Sequence, residues 1–221
     1  MSTENNIQKP LSRRNFLKIG CAGATAVGLT VCGATALAPD PAPAELSTFS
    51  YGEKQMQKRI LIVYASAFGS TVDVAATIGE TLARDDLAVD VKPIEENLQL
   101  DNYQAVVIGS AIQHGNWLPE AVDFVKANQI TLQELPVALF CVHITNLGDD
   151  EISRQNRRAF LDAVRSLVPA VDEACFAGKF DRRGAKLMLP PFFARFVPPL
   201  DFRKWSKMRA WATRLRPLLN V

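Results

Sequence analysis

Short apolar runs that alternate with helical patterns constrain the fold of this chain more than any other feature of its sequence. The runs that predict strands are Arg59–Tyr64, Leu87–Val91, Tyr103–Ile108, Pro136–Val142 and Ala174–Ala177. Apolar residues recur at helical spacing in Thr71–Ala83, Pro119–Asn128, Asp149–Val168 and Phe202–Leu215. Runs that are apolar throughout suit strands buried on both faces, and strands alternating with helices indicate a mostly parallel sheet. The predicted fold class is therefore α/β.

The predicted sheet also indicates where a ligand would bind. In open parallel sheets, ligands bind beyond the carboxyl ends of the strands, where the strand order reverses. The loops after the first, third and fourth predicted strands are therefore the candidate site. The longest predicted helix, 149–168, is expected to turn five residues toward the core, namely Ile152, Phe160, Leu161, Val164 and Leu167.

The first loop joins a predicted strand to a predicted helix and consists of Ser66, Ala67, Phe68, Gly69, Ser70 and Thr71. The N-terminus of a helix offers unpaired N–H groups and a partial positive charge, which attract phosphate. Gly69 permits close backbone approach, and the hydroxyls can donate hydrogen bonds. The alternative is a plain turn in which Ser70 or Thr71 caps the helix. The chain has neither G-x-G-x-x-G nor a P-loop lysine here, so no dinucleotide or NTPase motif is indicated.

The second loop follows Gly109 and consists of Ser110, Ala111, Ile112, Gln113, His114, Gly115, Asn116 and Trp117. Its glycines would admit a flat ring, and Trp117 offers an aromatic face for stacking. The alternatives are a half-buried Trp117 that packs over the next helix and a solvated His114. His114 is the only candidate for a catalytic acid or base that the sequence suggests.

The third loop begins at the end of the fourth predicted strand, and its candidate ligand contacts are His143, Thr145 and Asn146. The alternative role for this loop is helix capping by Asp149 or Asp150. Two histidines without a cysteine or carboxylate pattern do not predict a metal site. The chain also lacks a serine elbow, an HExxH motif and a Cys-His pairing signature, which argues against hydrolysis.

Two of these loops resemble a known family. The first is similar to the flavodoxin phosphate loop, [ST]-x-[ST]-G-x-[ST], with Phe68 in place of the middle hydroxyl residue. The stretch Tyr103–Val125 resembles flavodoxin-domain proteins related to menaquinone-dependent protoporphyrinogen oxidase. This resemblance implies a flavodoxin-like, doubly wound, five-stranded parallel sheet of order 2-1-3-4-5 with helices on both faces. It also implies bound FMN, with the phosphate on the first loop and the ring or ribityl chain along the other two.

The resemblance implies an FMN-dependent oxidoreductase that passes electrons from an organic donor to a quinone, in a family linked to haem biosynthesis. One alternative is an exported flavodoxin-type electron carrier without substrate chemistry of its own. Another is a flavin-free binding module on the same fold, because fold alone does not fix function.

The N-terminal sequence Ser12–Lys18, SRRNFLK, resembles the twin-arginine export signal S-R-R-x-F-L-K, and a weakly apolar stretch without charges, Ile19–Ala38, follows it. The alternative is an N-terminal membrane anchor. The export reading divides the chain into a signal peptide at 1–44, a linker at 45–57 and the flavodoxin-like domain at 58–221. It implies passage through the twin-arginine translocase and a location in the periplasm or on the outer face of the cytoplasmic membrane.

The net charge of +2 does not suggest a nucleic-acid partner, but Lys179–Val221 carries eleven Lys and Arg against two Asp. Within it, Leu187–Leu200 is apolar and framed by these cations. Such a segment can lie at a membrane interface, which suits a quinone as the redox partner. The alternative is a loop that packs over the sheet edge with its cations in solvent.

Four cysteines are present, of which Cys21 and Cys32 lie in the predicted signal. Cys141 and Cys175 lie in apolar runs and are expected to be inert, buried thiols. A disulfide between them is the alternative, and the sequence leaves that choice open.

Overall fold

A sheet with five parallel strands organises the chain in a computed structural model that describes residues 46–52, 58–83, 87–96, 98–180, 184–185, 190, 193 and 196–220. The strands are β1 (Phe49–Tyr51), β2 (Lys58–Ala65), β3 (Leu87–Pro93), β4 (Ala105–Gln113), β5 (Asn116–Trp117), β6 (Val137–His143), β7 (Ala170–Ala177), β8 (Lys179–Phe180) and β9 (Leu200–Asp201). The helices are α1 (Ser70–Leu82), α2 (Pro119–Ala127), α3 (Gln129–Glu134), α4 (Glu151–Ala159), α5 (Asp162–Arg165) and α6 (Trp205–Leu215). Single 3₁₀ turns lie at Leu100–Asn102 and Arg216–Leu219. The predicted signal peptide lies outside the described residues.

The strand order confirms the predicted topology. The parallel strands lie in the order β3-β2-β4-β6-β7, which is 2-1-3-4-5 when the parallel strands are numbered along the chain. The order reverses between β2 and β4, so the carboxyl ends of these two strands flank the switch point at which such sheets bind ligands.

An edge strand, β1, is the first difference from the sequence prediction. Phe49–Tyr51 falls within the predicted linker 45–57, yet it pairs antiparallel with β3, placing Phe49 opposite Val91. Both aromatic rings pack against the core cluster, and the Ser47 carbonyl accepts a hydrogen bond from the Tyr64 hydroxyl at 2.7 Å. A strand of three residues is too short to show a period, so only its pairing with β3 in the folded state identifies it.

Two apolar layers cover the sheet, one on each face. On one face, β-strand residues pack against α1 and α6, including Ile78, Trp211 and Leu215. On the other face, they pack against α2, α3 and α5, including Val125, Leu132 and Val164. Apolar residues at a spacing of three or four along α1, α2 and α6 form the buried stripe that the pattern predicted.

The predicted long helix 149–168 is wrong, because the chain forms two shorter helices, α4 and α5. The α4 helix contains no buried residue, and Ile152, which was expected in the core, is 72% exposed. Phe160 and Leu161 are buried where α4 ends, as expected, and they turn the chain into the core before α5 begins. The sequence of α4 is mostly polar, so this helix has no apolar stripe that could pack against the core.

The C-terminal segment folds back over the sheet rather than leaving it. In α6, Met208, Trp211 and Leu215 are buried, and the Trp211 indole N–H donates to the Asp172 carboxylate at 3.0 Å. The strands β8 and β9 pair antiparallel as a separate two-stranded sheet. Among the described helices, none combines the length and the apolar character that a membrane crossing requires.

Candidate functional site

The strand register brings the three predicted loops to one edge of the sheet. Ala65 of β2 pairs with Ser110 of β4, and Ser110 pairs with Cys141 of β6. Adjacent strands in a sheet lie about 4.8 Å apart. The first, second and third loops, which continue from these strands, therefore begin side by side.

The first loop enters α1 through a left-handed residue. Gly69 occupies the N-cap position with φ of 85°, and no side chain caps the helix. Capping by Ser70 or Thr71, the alternative reading of this loop, is therefore absent. A glycine adopts this conformation without the steric cost that a Cβ imposes. Apart from its chain neighbours, no atom of the described residues lies within 4 Å of where that Cβ would be. The start of α1 is thus open to a ligand.

Two hydroxyls of the first loop are occupied by the protein backbone. The Ser66 Oγ accepts a hydrogen bond from the Gly69 N–H at 3.0 Å, and the Ser70 Oγ accepts from the Lys179 N–H at 3.0 Å. Ala67 and Phe68 are half-buried between them. The Ser66 contact shapes the loop, and the Ser70 contact ties it to the C-terminal segment.

Two buried polar atoms draw attention to the same loops without reference to any motif. Within the described part of the chain, Thr71 Oγ1 and Trp117 Nε1 are the buried side-chain donors or acceptors that have no hydrogen-bond partner. Leaving such a group unsatisfied costs about 1–3 kcal/mol. One lies at the end of the first loop and the other at the end of the second, so both unsatisfied atoms fall in loops that the sequence predicted to hold a ligand.

Residues that the sequence analysis did not select complete the surroundings of the first loop. Asp73, in the first turn of α1, is bound by Lys179 Nζ at 3.0 Å and by Arg203 at 2.6 Å. The two cations offset a carboxylate that would otherwise repel an anion at the helix N-terminus. Gly178 lies so close to this loop that a Cβ there would meet Ser70 Oγ at 2.8 Å. The excess of Lys and Arg from Lys179 onward was the sequence feature that could have indicated this contact. Only the fold shows which of these cations reach Asp73.

The second loop is a tight hairpin at the end of β4. Ile112 pairs with Trp117 and Gln113 with Asn116 across the hairpin, so β4 continues past its predicted end at Ile108. His114 and Gly115 form the two-residue turn with φ of 51° and 82°, as a type I′ turn requires. His114, Gly115 and Asn116 are exposed at the tip, and the Asn116 amide donates to the His114 carbonyl at 3.2 Å.

The base of the second loop is packed inside the protein. The Ser110 hydroxyl is buried, donates to the Ala111 carbonyl at 2.9 Å and accepts from the Leu118 N–H at 3.0 Å. Trp117 is only 3% exposed and belongs to the core on the side of α2. Its burial favours the packing alternative over a stacking role, although its N–H still lacks a partner. Ala111, Ile112 and Gln113 are half-buried between the hairpin tip and the core.

The third loop is held by a buried histidine and an arginine. His143 is buried at the end of β6, its Nδ1 lies 2.6 Å from the Thr145 carbonyl, and burial lowers its pKa below 6.5. Arg157 donates to the carbonyls of Asn146 and Gly148, the latter at 2.6 Å. These bonds fix a turn in which Asn146 has φ of 54°, while the side chain of Thr145 is exposed.

The alternative reading of the third loop, helix capping, is correct for Asp150. Its carboxylate accepts a hydrogen bond from the Ser153 N–H at 2.8 Å at the start of α4. His114 and His143 lie on different loops. Among the described residues, no group of three His, Cys, Asp or Glu side chains could hold a metal ion.

A cavity of about 420 Å³ adjoins the third loop, on the side of β7. Its wall combines apolar side chains with four cations, one from α4 and three from the C-terminal segment, and with the carboxylates of Asp149 and Asp201. The lining residues are His143, Leu147, Asp149, Arg157, Cys175, Phe176, Ala177, Asp201, Phe202, Arg203, Lys204, Lys207 and Met208. Arg203 holds the pKa of Asp201 at about 2, so this acid is ionised and paired at neutral pH.

Comparison with known proteins gives a family match and several similar sequences. A family model for a flavodoxin domain matches residues 61–188, more than half of the chain. Protoporphyrinogen IX dehydrogenase (quinone) of Escherichia coli strain K12 is 28% identical over 88 residues, which cover 39% of this chain and 49% of that protein. The protein of the same name from Leishmania major is 28% identical over 90 residues, covering 39% of each. The chain thus spans about half the length, or less, of these curated relatives.

Solved structures are also similar to the chain. A flavodoxin from the domain Archaea is 14% identical, covers 74% of this chain and 99% of its own, and gives a TM-score of 0.46. Oxidised flavodoxin 1 from Bacillus cereus is 14% identical, covers 64% of this chain and 100% of its own, and gives a TM-score of 0.41.

Proposed function

This chain belongs to the flavodoxin domain family, and from that premise we propose that it is an FMN-dependent oxidoreductase that passes electrons from an organic donor through the flavin to a quinone. The observation that carries the proposal is the pair of unsatisfied buried atoms, Thr71 Oγ1 and Trp117 Nε1. Each lies in a loop that the family resemblance assigns to FMN, and each needs a hydrogen-bond partner that the described part of the protein does not provide.

The first loop fits a phosphate group. The N-terminus of α1 has no side-chain cap, and Gly69 leaves open space beside it. A phosphate there would accept hydrogen bonds from the first-turn N–H groups and from the Thr71 hydroxyl, and it would gain from the helix dipole. Phe68 removes one side-chain hydroxyl from the usual loop but leaves these backbone donors in place. Lys179 and Arg203 keep the charge of Asp73 from opposing the anion.

The second and third loops fit the rest of the cofactor. Bound FMN supplies a ring that accepts and returns electrons, while the protein orients it and excludes water. In this proposal the hairpin from Ser110 to Trp117 and the third loop would hold the ring and the ribityl chain, and the Trp117 N–H would donate to an acceptor on the cofactor. Arg157 would keep the third loop in place for this contact. His143 stays neutral near pH 7 because burial disfavours its charged form.

The cavity beside the third loop favours an enzyme over a simple electron carrier. It has a volume of about 420 Å³ and shares His143 and Leu147 with that loop. Pockets of this size accommodate small organic molecules, so a donor could bind next to the flavin. The similarity to protoporphyrinogen IX dehydrogenase (quinone) supports the same reaction class.

The test is the visible spectrum of the purified protein, followed by anaerobic reduction with candidate organic donors and reoxidation by a quinone. We expect a flavin spectrum, bleaching by a donor and repeated turnover with the quinone. If the flavin is reduced and reoxidised only by electron-transfer proteins, the protein is an electron carrier and not an enzyme. No flavin after incubation with excess FMN would refute the cofactor assignment.

We also propose export through the twin-arginine route, on the strength of the SRRNFLK sequence. These residues lie outside the described part of the structure. Replacing Arg13 and Arg14 by Lys should leave the precursor in the cytoplasm, as cell fractionation would show. Undiminished export of this double variant would contradict the proposal.

The segment Leu187–Leu200 is proposed to contact the membrane near the quinone. Within its described positions, Phe193 and Phe196 are 58% and 64% exposed. Cations at a membrane surface contribute about 1 kcal/mol each toward anionic lipid. Replacing both phenylalanines by Ser should preserve bound FMN and dye reduction but reduce quinone turnover in anionic vesicles. Unchanged vesicle binding and quinone turnover would favour a packed loop instead.

A further inference from the structure

Two cysteines face each other across the sheet near the cavity. Cys141 on β6 and Cys175 on β7 are direct partners in the parallel register. Adjacent strands lie about 4.8 Å apart, within the Cα separation of roughly 4.4–6.8 Å that a disulfide spans. Both side chains join the same apolar layer, on the side of α2, so they project from the same face. Both are free thiols.

The two thiols differ in access, which corrects the expectation that both are buried. Cys141 is fully buried, whereas Cys175 is partly exposed and lines the cavity. The Cys175 sulfur lies 3.5 Å from the Arg157 carbonyl. A reagent in the cavity can therefore reach Cys175 but not Cys141.

The surroundings of the two sulfurs also differ electrostatically. The pKa of Cys175 is lowered, chiefly by a hydrogen bond from Cys141 and further by the cations Arg157 and Arg165, against the opposing effects of burial and Glu173. Burial raises the pKa of Cys141 well above its usual range. In such a pair, the accessible thiol that ionises readily is the nucleophile and forms a mixed disulfide. The buried thiol then attacks this mixed disulfide and closes the bond between the two cysteines.

We propose that Cys175 and Cys141 form a redox-active dithiol that exchanges with small, carboxylate-bearing disulfides. These enter the cavity that the proposed function gives to the organic donor, but the exchange itself needs no flavin. The exposed cations Lys204 and Lys207 line the cavity and suit an anionic reagent. The site therefore combines a nucleophilic thiol, a second thiol that can displace the bound reagent, and a cavity whose cations attract anionic reagents.

The exchange balances in two steps. The Cys175 thiolate attacks one sulfur of the small disulfide, a new S–S bond forms, and the other half leaves as a thiolate with the electron pair. The Cys141 thiol then loses its proton and attacks the Cys175 sulfur, which expels the second thiolate. The two protons of the protein thiols end on the two released small thiols. The dithiol is oxidised by two electrons and the small disulfide is reduced by two.

The test uses the full chain with Cys21→Ser and Cys32→Ser, so that the pair supplies its only thiols. The protein is incubated with oxidised glutathione, quenched with acid and digested for mass spectrometry. We expect loss of both free thiols and a linked pair of peptides that contain Cys141 and Cys175. In Cys141→Ser the glutathione adduct should accumulate on Cys175, whereas Cys175→Ser should leave Cys141 unmodified.

Two results would overturn the proposal. One is that both thiols stay free in an excess of oxidised glutathione that modifies an unfolded control. The other is that Cys141 reacts as fast as Cys175. Running the reaction with and without FMN separates this inference from the proposed function, because the exchange needs no flavin. As matched variants, Arg157→Gln should slow the adduct formation on Cys175, and Arg158→Gln, which changes an exposed neighbour, should not.

Discussion

Replacing Thr71 by Val should change stability and cofactor affinity in opposite directions. The Thr71 hydroxyl is fully buried and has no partner among the described residues. Removing an unsatisfied buried polar group relieves a cost of about 1–3 kcal/mol, while Val keeps the side-chain shape and a similar helix propensity. The FMN-free protein should therefore gain at least about 1 kcal/mol in the free energy of unfolding, which raises Tm by about 2–4 °C in a protein of this size.

The same substitution should weaken FMN binding. A hydrogen bond to a charged group contributes about 1.5–3 kcal/mol, so its loss corresponds to roughly 10- to 150-fold in Kd. The assay pairs thermal unfolding of the FMN-free protein with titration of FMN by fluorescence quenching. Thr77→Val is the matched control on the same helix, because the Thr77 hydroxyl already donates to the Asp73 carbonyl at 2.9 Å. It should lose slight stability and keep wild-type affinity.

Two outcomes would refute this reasoning. If Thr71→Val binds FMN as tightly as the wild type, the hydroxyl does not contact the phosphate. If the FMN-free variant loses more than about 1 kcal/mol of stability, the hydroxyl contributes a net favourable hydrogen bond in the free protein.

Three further predictions follow from the same loops. Gly69→Val should abolish the flavin spectrum, because its side chain would fill the open space beside α1. The φ of 85° at this position also costs a non-glycine residue about 1–2 kcal/mol of stability. The control is Gly52→Val, at φ of 82°, which should cost similar stability but keep the flavin. The free energy of unfolding should fall as the pH drops below 6.5 toward the lowered pKa of His143. In this range the unfolded chain binds a proton at His143 that the folded protein does not bind. Urea titrations of His143→Gln should therefore show a flatter pH dependence. Arg157→Gln should increase hydrogen exchange in the third loop, because it removes the hydrogen bonds that hold the carbonyls of that loop. Arg158→Gln is the control and should leave exchange there unchanged. Equal protection of the loop in both variants would contradict this role of Arg157.

Much of the candidate site could be predicted because its signals are local. The order of apolar runs and helical patterns predicted the parallel sheet, and the hydroxyls around Gly69 marked the start of α1. The prediction was weaker where a side chain's role depends on burial. The sequence left open whether Trp117 stacks on a ligand or packs over the next helix, and the structure shows it packed inside. Ser110 uses its hydroxyl to hold its own loop. Residue type alone does not reveal which atoms a fold leaves exposed.

By itself the sequence determined the elements that depend on short-range periodicity: the five parallel strands, the helix after the first loop and the cluster of loops at one sheet edge. The tertiary structure decided which particular residues from distant parts of the chain meet. It paired Phe49–Tyr51 with β3, brought Lys179 and Arg203 to Asp73, and set Cys141 beside Cys175. The physical reason is that periodicity records the environment of neighbouring residues. Pairings between residues far apart in sequence depend on packing that no local pattern encodes.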